Sequence, residues 1–388
     1  MISRIEAEGF RCFRKLDQCV KPFQILVGPN GSGKSTFLDV VAFLGTLTSE
    51  TVQAAIEERS ENFHDLVWGR EGTQFRVAIE ARIPDDRKSR YEPPVPHTIR
   101  YEVVLRLDTV EEKVVFASEL IRLCGGEGCA VDRLVLTRDS NGVHFTPEIG
   151  DNRIDFQLGR SYSGLSNLPL DETGFPAAAW LKTLLADGVR SVTLDSELLR
   201  SASPPSQRRA KDFDGWNLPR LVARLGEHQP AFNRWIAHLR TTLPDLETVK
   251  TSFRPEDKYR YLTLRYTNGI EVPQWVVSDG TLRLLGLTIL AYLTEVNGSV
   301  YLIEEPENGV HPTALETIFQ SLSSVYSGQV IVTSHSPVLL ALARPEQLLC
   351  FWKSAQGVQV VPGNQHPALR DWTYDVSLSN LFAAGVLG

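Results

Sequence analysis

A glycine-rich run near the start of the chain limits the fold more than any other sequence feature. The run consists of Gly28, Pro29, Asn30, Gly31, Ser32, Gly33, Lys34, Ser35 and Thr36. It contains Gly-x-x-x-x-Gly-Lys-Ser, the pattern of a phosphate-binding loop. The apolar segment Phe23–Val27 precedes it and predicts a buried strand, and residues 36–47 follow with apolar side chains at helical spacing. A strand, a glycine loop and a helix in this order predict a nucleotide-binding α/β fold.

Each residue type in this loop has a physical reason to be there. Glycines allow the backbone N–H groups to turn towards phosphate oxygens, and the start of the following helix adds its positive dipole end. We expect Lys34 to reach the β- and γ-phosphates of ATP, and the Ser35 hydroxyl to bind Mg²⁺. The other predicted nucleotide-binding residues of the loop are Asn30, Gly31, Ser32, Gly33 and Thr36.

Two adjacent acids end a second apolar segment, Ser299–Ile303, which predicts another buried strand. Successive residues of a strand point to opposite sides. One acid can therefore face a metal ion while its neighbour faces the attacking water. We assign Glu304 to Mg²⁺ and Glu305 to the water as general base, because phosphoryl transfer needs both tasks.

A third apolar segment, Gln329–Thr333, predicts a strand that ends just before His335. A histidine at the tip of a buried strand can bond a γ-phosphate or position a water molecule. Because isolated histidines are more often structural, His335 gains its catalytic assignment only from the neighbouring motifs.

A fourth motif, Ser278–Arg283 (the signature segment), precedes an apolar stretch that predicts a helix over Leu282–Leu293. A serine hydroxyl and a glycine N–H at a helix start form an anion site, although serine is also an ordinary helix cap. The segment makes chemical sense as an ATP-site element only if it faces a γ-phosphate held by another copy of the chain. It therefore predicts an ATP-dependent dimer.

These four motifs occur in the order typical of ABC-type ATPases. More narrowly, the chain resembles the stand-alone SMC/RecF-like "AAA family ATPases" of bacteria, which are related to the ATPase half of OLD proteins. Four stretches carry the resemblance: Ile2–Phe13, Val277–Leu285, Glu304–Pro312 and Thr333–Pro337. It implies an α/β P-loop NTPase fold of the ABC/SMC head type, with a mixed central sheet, an antiparallel β lobe and a helical lobe.

The resemblance implies one ATPase head over residues 1–388. About residues 1–160 would form lobe I with the phosphate loop, about 161–250 a helical insertion, and about 251–388 lobe II with the signature segment, the paired acids and His335. The family's signature serine and glycine cap the γ-phosphate of the opposite protomer. This role carries over to Ser278 and Gly280.

The function that the resemblance implies is ATP hydrolysis in a homodimer that controls a separately encoded effector. We expect a separate effector because the chain beyond His335 offers no second acidic cluster for a nuclease. By resemblance, that effector would be a nuclease or toxin in anti-phage defence, or a DNA-maintenance factor. Two alternatives stay open: a DNA repair or maintenance ATPase of the RecF type, and a nucleotide-gated scaffold with negligible hydrolysis. A transporter subunit is disfavoured, since those keep a far shorter span between phosphate loop and signature.

Several positions depart from the wider ABC pattern. Asp279 and Thr281 replace the usual signature residues, and His311 stands where transporters often have an aspartate. Gln157 is a candidate for the Q-loop glutamine. Arg11 is a candidate contact to the nucleotide base or phosphates, or an anchor of the first strand.

The stretch between phosphate loop and signature lacks the sustained heptads of an SMC arm. It predicts four strands, a mainly helical region over residues 160–250 that includes Leu218–Arg240, and a hairpin through Asn268-Gly269. The four strands are Gln74–Arg82, Ile99–Leu107, Val114–Leu123 and Leu134–Thr137, and the hairpin strands are Tyr259–Tyr266 and Ile270–Val277.

Composition and charge limit the binding partners and the cellular compartment that we expect for this chain. The formal net charge of −7 argues against a uniformly basic nucleic-acid binder, while Arg208-Arg209-Ala210-Lys211 predicts a solvated loop or, less favoured, a DNA contact. Cys124–Cys129 predicts a glycine-rich hairpin rather than a metal site. Without a signal peptide or membrane span in the sequence, and with an odd number of cysteines, we expect a cytoplasmic protein that does not contact membranes.

Overall fold

The strand before the phosphate loop lies inside a six-stranded sheet. This computed structural model describes residues 1–125, 132–139, 142–150, 152–169, 171–205, 213–293, 298–354, 357–369 and 378. Numbered in chain order, the sheet has the strand order β10-β14-β15-β3-β16-β17, and all neighbours are parallel except β16 and β17. Its strands are β3 (Phe23–Val27), β10 (Val189–Val192), β14 (Val300–Glu304), β15 (Gln329–Thr333), β16 (Leu348–Ser354) and β17 (Gly357–Pro362).

Parallel pairing explains why distant motifs meet. The carboxyl ends of β3, β14 and β15 lie at one edge of the sheet, because these strands are neighbours with the same direction. Ligands of open α/β sheets bind outside this edge. The phosphate loop, the paired acids and His335 each follow one of these strands.

An antiparallel eight-stranded sheet forms the second layer, in the order β2-β1-β4-β5-β6-β7-β8-β9. The four strands that the sequence predicts in this region all form, the first with the predicted bounds. The strands are β1 (Ile2–Phe10), β2 (Phe13–Cys19), β4 (Gln74–Arg82), β5 (Thr98–Asp108), β6 (Lys113–Cys124), β7 (Asp132–Asp139), β8 (Gly142–Phe145) and β9 (Ile154–Phe156). Together with the six-stranded sheet, they make the α/β architecture that the sequence predicts.

Helix α1 (Lys34–Ser49) holds the two sheets together. Its apolar side chains Phe37, Val41 and Phe43 are fully buried in a core shared with both sheets. Phe43 packs against Phe10 of β1, with ring centroids 5.8 Å apart. Burying an aromatic side chain stabilises the fold by about 2–3 kcal/mol. The helix that carries Lys34 is therefore anchored along its length.

The region over residues 160–250 contains both helices and strands. Its helices are α4 (Pro176–Thr183), α5 (Ser196–Arg200), α6 (Leu218–Gly226) and α7 (Gln229–Leu239). The predicted helical stretch Leu218–Arg240 is thus two helices, because Pro230 starts a new helix more readily than it continues one. Strand β10, which the sequence analysis missed, joins the central sheet beside β14.

A three-stranded sheet leads into the signature segment: β11 (Leu246–Phe253), β12 (Arg260–Tyr266) and β13 (Glu271–Pro273). The predicted hairpin forms, but its second strand is shorter than expected. The helix after it, α8 (Asp279–Ile289), ends before Leu293, because a 3₁₀ turn follows it. The other α-helices in the described part of the chain are α2 (Val52–Glu57), α3 (Asp85–Lys88), α9 (Pro312–Ser323) and α10 (Pro337–Leu342).

Two sequence interpretations fall outside the described residues in whole or in part: the basic run 208–211 and the hairpin at 124–129. Within the described part of the chain, none of the helices combines the length and hydropathy that crossing a bilayer requires. The division into lobe I, helical insertion and lobe II stays a prediction.

Candidate functional site

The phosphate loop adopts a backbone that only glycine accommodates at several positions. Gly28, Gly31 and Gly33 have φ values of 150°, 69° and 99°. A side chain at Gly28 would overlap the carbonyl oxygen of Phe351, and a Cβ at Gly33 would lie 2.8 Å from Cys12 Sγ. Close packing against Phe351 and Cys12 therefore requires glycine at Gly28 and Gly33.

The loop also carries donors that suit phosphate. Helix α1 begins at Lys34, and its N-cap residue, Gly33, has no side chain that could cap the amide groups of the first turn. The Ser32 hydroxyl is buried and has no hydrogen-bond partner among the described residues. Free helix-start amides and an unpaired hydroxyl are the groups that bind an anion. The loop fits a nucleotide phosphate on these observations.

Lys34 is 6% exposed and folds back over the loop. Its Nζ donates to the carbonyl oxygens of Gly28 and Pro29, at 2.8 and 2.9 Å. Burial lowers the pKa of Lys34, and the negative charges of Glu305 and Glu304 partly oppose that effect. The ammonium group is thus held at the loop and lies within the field of both acids.

The metal-side prediction brings together two residues from opposite ends of the chain. Ser35 Oγ donates a 2.7 Å hydrogen bond to Glu304 Oε2. Glu304 is the last residue of β14, and Ser35 is in the first turn of α1. A hydroxyl and a carboxylate oxygen are the ligands that Mg²⁺ takes in nucleotide sites. The pair fits a magnesium ion.

The alternation of side chains along a strand does not explain the position of Glu305 in the cleft. It lies beyond the end of β14 and has φ 46°, a left-handed conformation that is strained for a side chain with a Cβ. Its N–H donates to the carbonyl oxygen of Thr333 at 3.0 Å. The His335 Nε2 atom lies 3.7 Å from Glu305 Oε1. The predicted base and the predicted histidine are neighbours.

Two adjoining clefts share Ser35. The first, of about 400 Å³, is lined by Cys12, Asn30, Gly31, Gly33, Lys34, Ser35, Thr36, Glu305, Thr333 and His335. The second, of about 420 Å³, includes Glu304 and Arg11 in its lining. Arg11 has φ 48° and pairs with Asp39 of α1 at 3.1 Å. Arg11 therefore lines the second cleft and not the first, which contains the phosphate loop.

The signature residues are elsewhere on the surface. Ser278 caps α8 by accepting from the Thr281 N–H at 3.3 Å, and Asp279 pairs with Arg200. A Cβ at Gly280 would lie 3.1 Å from the carbonyl oxygen of Gly309. Neither Ser278 nor Gly280 belongs to the described lining of the two clefts. A single chain does not bring them to its own phosphate loop.

Two further residues that the sequence singled out take local roles. His311 caps α9, where its Nδ1 accepts from the Thr313 N–H at 3.3 Å. Gln157 is exposed, follows β9 and is outside the lining of both clefts. The structure does not bring either one to the phosphate loop.

The structure adds residues that sequence reasoning did not assign to the site. Asn308 Nδ2 donates to Glu305 Oε2 at 2.7 Å, and Glu307 contacts the backbone of His335. The sequence signal for both residues was their position directly after the paired acids Glu304 and Glu305. Lys353 of β16 has its Nζ 3.2 Å from where a Cβ on Gly31 would be. Nothing in the sequence around Lys353 indicates this position, because it depends on the pairing of β16 with β3.

Comparison with known proteins gives one family and one fold. Residues 23–119 and 137–341 match the family model described as "AAA domain, putative AbiEii toxin, Type IV TA system". A structure of an Smc head bound to the C-terminal winged-helix domain of ScpA is similar, with 15% identity, a TM-score of 0.57 and coverage of 93% of this chain and 97% of that one. An Smc head from Pyrococcus furiosus with an extended coiled coil, bound to the C-terminal domain of ScpA, has 13% identity, a TM-score of 0.56 and coverage of 93% and 95%. No curated protein sequence matches the chain.

Proposed function

The chain belongs to this AAA-domain family, and on that premise we propose that it hydrolyses ATP as a dimer whose closure controls a separate effector. The observation that carries the proposal is the meeting of three strand ends in one place. Ser35 contacts Glu304 at 2.7 Å, and His335 lies 3.7 Å from Glu305. Lys34 lies in the field of both acids.

Each side chain has a task that its surroundings support. Lys34 and the amides at the start of α1 would bind the phosphates, while Ser35 and Glu304 would hold Mg²⁺. When bound, Mg²⁺ neutralises negative charge on the β- and γ-phosphates. Glu305 would accept a proton from the attacking water, and His335 beside it would orient that water or the γ-phosphate.

Dimerisation is proposed because the signature residues are remote from the cleft of their own chain. The start of α8 offers the Ser278 hydroxyl and the Gly280 N–H, a set of donors that suits an anion. A second copy related by a two-fold axis would place these donors over the first copy's phosphate loop, and the reverse. Two composite sites would close together.

We propose that the effector is a separately encoded nuclease or toxin, and that the pair acts in anti-phage defence in the cytoplasm. The family's description names a toxin of a toxin–antitoxin system; because it describes the AAA domain itself, it supports the defence setting and not the identity of the partner. The similar Smc heads are bound to ScpA, an example of a head of this fold that contacts a separate protein.

The decisive experiment is Glu305→Gln. The variant retains the shape of the side chain but not a base, so we expect Mg-ATP to bind and the ATP-bound dimer to accumulate. Phosphate release should fall by at least about 100-fold. Dimer is measured by light scattering with ATP, and Glu316→Gln on the exposed face of α9 is the matched control.

Unchanged hydrolysis in Glu305→Gln would remove Glu305 as the base. A wild-type protein that binds ATP and dimerises, but releases no phosphate with or without DNA, would instead identify a nucleotide-gated scaffold. ATP binding without any change in oligomeric state would contradict the composite site.

A further inference from the structure

Glu307 joins the two loops that carry Glu305 and His335. Its Oε1 atom accepts a 2.7 Å hydrogen bond from the His335 backbone N–H and a 2.8 Å bond from the Ser334 hydroxyl. We propose that Glu307 is a positioning residue that holds His335 against Glu305. Its catalytic meaning rests on the proposed ATPase function, while its structural consequence can be measured without hydrolysis.

The turn that contains Glu307 also fixes Glu305. Asn308 donates from Nδ2 to Glu305 Oε2 at 2.7 Å, and its backbone N–H donates to the Glu305 carbonyl oxygen at 3.0 Å. The left-handed backbone at Glu305 persists only where its surroundings compel it. One turn therefore sets the positions of both side chains, and their 3.7 Å separation depends on it.

The contacts on the histidine side are buried and directional. Ser334 is fully buried, and its Oγ accepts the Ser336 N–H at 3.0 Å while it donates to Glu307. Ser336 in turn caps α10. The Glu307 carboxylate thus orients a hydroxyl on which the next turn of the chain depends. Loss of the carboxylate would leave the Ser334 hydroxyl and the His335 N–H to find new partners.

The two carboxylate oxygens of Glu307 differ in their contacts. Glu307 Oε2 is buried and has no hydrogen-bond partner among the described residues. Both contacts to the His335 loop are made by the other oxygen, Oε1.

Substitutions of Glu307 show whether its role requires a hydrogen-bond acceptor or a negative charge. In Glu307→Ala we expect kcat to fall by about 10- to 100-fold, because a small displacement of His335 is costly to the reaction. ATP affinity should stay within about twofold, since Glu307 contacts neither the phosphate loop nor Ser35. Glu307→Gln keeps an acceptor oxygen and should retain kcat within about threefold. Glu316→Ala, an exposed acid on α9, is the control for loss of an acid.

A double-mutant cycle with His335→Ala tests whether Glu307 acts through the histidine. If it does, adding Glu307→Ala to His335→Ala lowers kcat by no more than about twofold further. If the loss of kcat in the double variant equals the product of the losses in the two single variants, the proposal is overturned. A Glu307→Gln variant as inactive as Glu307→Ala would also overturn it, because the residue would then be needed for its charge.

NMR of the histidine ring makes the test independent of turnover. The His335 ring signal, assigned by its loss in His335→Ala, should move in Glu307→Ala and stay in place in Glu307→Gln and Glu316→Ala. An unmoved signal in folded Glu307→Ala overturns the positioning role even if the wild type proves inactive as an ATPase. If the wild type does not hydrolyse ATP but the His335 signal moves in Glu307→Ala, only the proposed function is contradicted.

Discussion

The Ser35 hydroxyl donates a 2.7 Å hydrogen bond to Glu304 although 269 positions separate the two residues in the sequence. The contact forms because β3, which leads to Ser35, and β14, which ends at Glu304, both flank β15 in the parallel sheet. We expect the same two oxygens to hold Mg²⁺.

Glu304→Gln therefore should weaken the metal site specifically. A neutral amide oxygen binds Mg²⁺ less strongly than a carboxylate, so the Mg²⁺ concentration for half-maximal ATP hydrolysis should rise by about tenfold or more. A titration of Mg²⁺ at saturating ATP measures it, with Glu316→Gln as control. An unchanged Mg²⁺ requirement would remove Glu304 from the metal site.

Mixing two inactive variants tests the composite site. Lys34→Ala lacks the phosphate contact, and Ser278→Arg blocks the start of α8, so each alone should hydrolyse little ATP. In a 1:1 mixture, half of the dimers would be mixed, and each would contain one intact site. Phosphate release should recover to about a quarter of the wild-type rate. No recovery in mixtures shown to contain heterodimer would contradict contributions from two chains.

Lys353 should strengthen nucleotide binding. Its ammonium group lies beside Gly31 of the phosphate loop, and its charge acts on Cys12 in the same cleft. Lys353→Met should raise the dissociation constant for Mg-ATP by about threefold to tenfold at low salt and less at high salt. Fluorescence titration with a labelled ATP analogue measures the change. Lys15→Met, which removes an exposed lysine of β2, should have no effect.

Glu6 should stabilise the eight-stranded sheet in a pH-dependent way. Hydrogen bonds and charge from Arg100, together with Arg76 and Arg4, outweigh burial and lower the pKa of Glu6 from 4.5 to about 2. A lowered pKa means that the stabilisation is present above pH 4.5 and is lost as the pH falls towards 2.

Glu6→Gln should accordingly reduce the free energy of unfolding by about 2–3 kcal/mol at pH 7. The difference from the wild type should shrink as the pH falls below 4.5. Urea unfolding followed by circular dichroism at several pH values measures it. Glu8→Gln, at an exposed position of the same strand, serves as control, and a difference that does not vary with pH would contradict the argument.

The local sequence was sufficient for the elements that carry the site. Phe23–Val27, Gln329–Thr333 and Gln74–Arg82 form strands with the predicted bounds, because each combines apolar, β-prone residues with clear end signals. Strand β10, Val189–Val192, is too short for its pattern to differ from that of a buried helix segment. Only its pairing with β14 identifies it.

The sequence by itself determined which chemical groups are present and which strand each one follows: the phosphate loop, Glu304 and Glu305, and His335. Tertiary structure decided how they meet. Parallel pairing of the strands sets the Ser35–Glu304 contact, and the left-handed backbone of Glu305 directs its side chain. Glu307 connects the loops that follow β14 and β15. The division has a physical reason: propensity and hydropathy act over a few neighbouring residues, whereas these hydrogen bonds join residues that are 28 positions apart (Glu307 and His335) or 269 (Ser35 and Glu304).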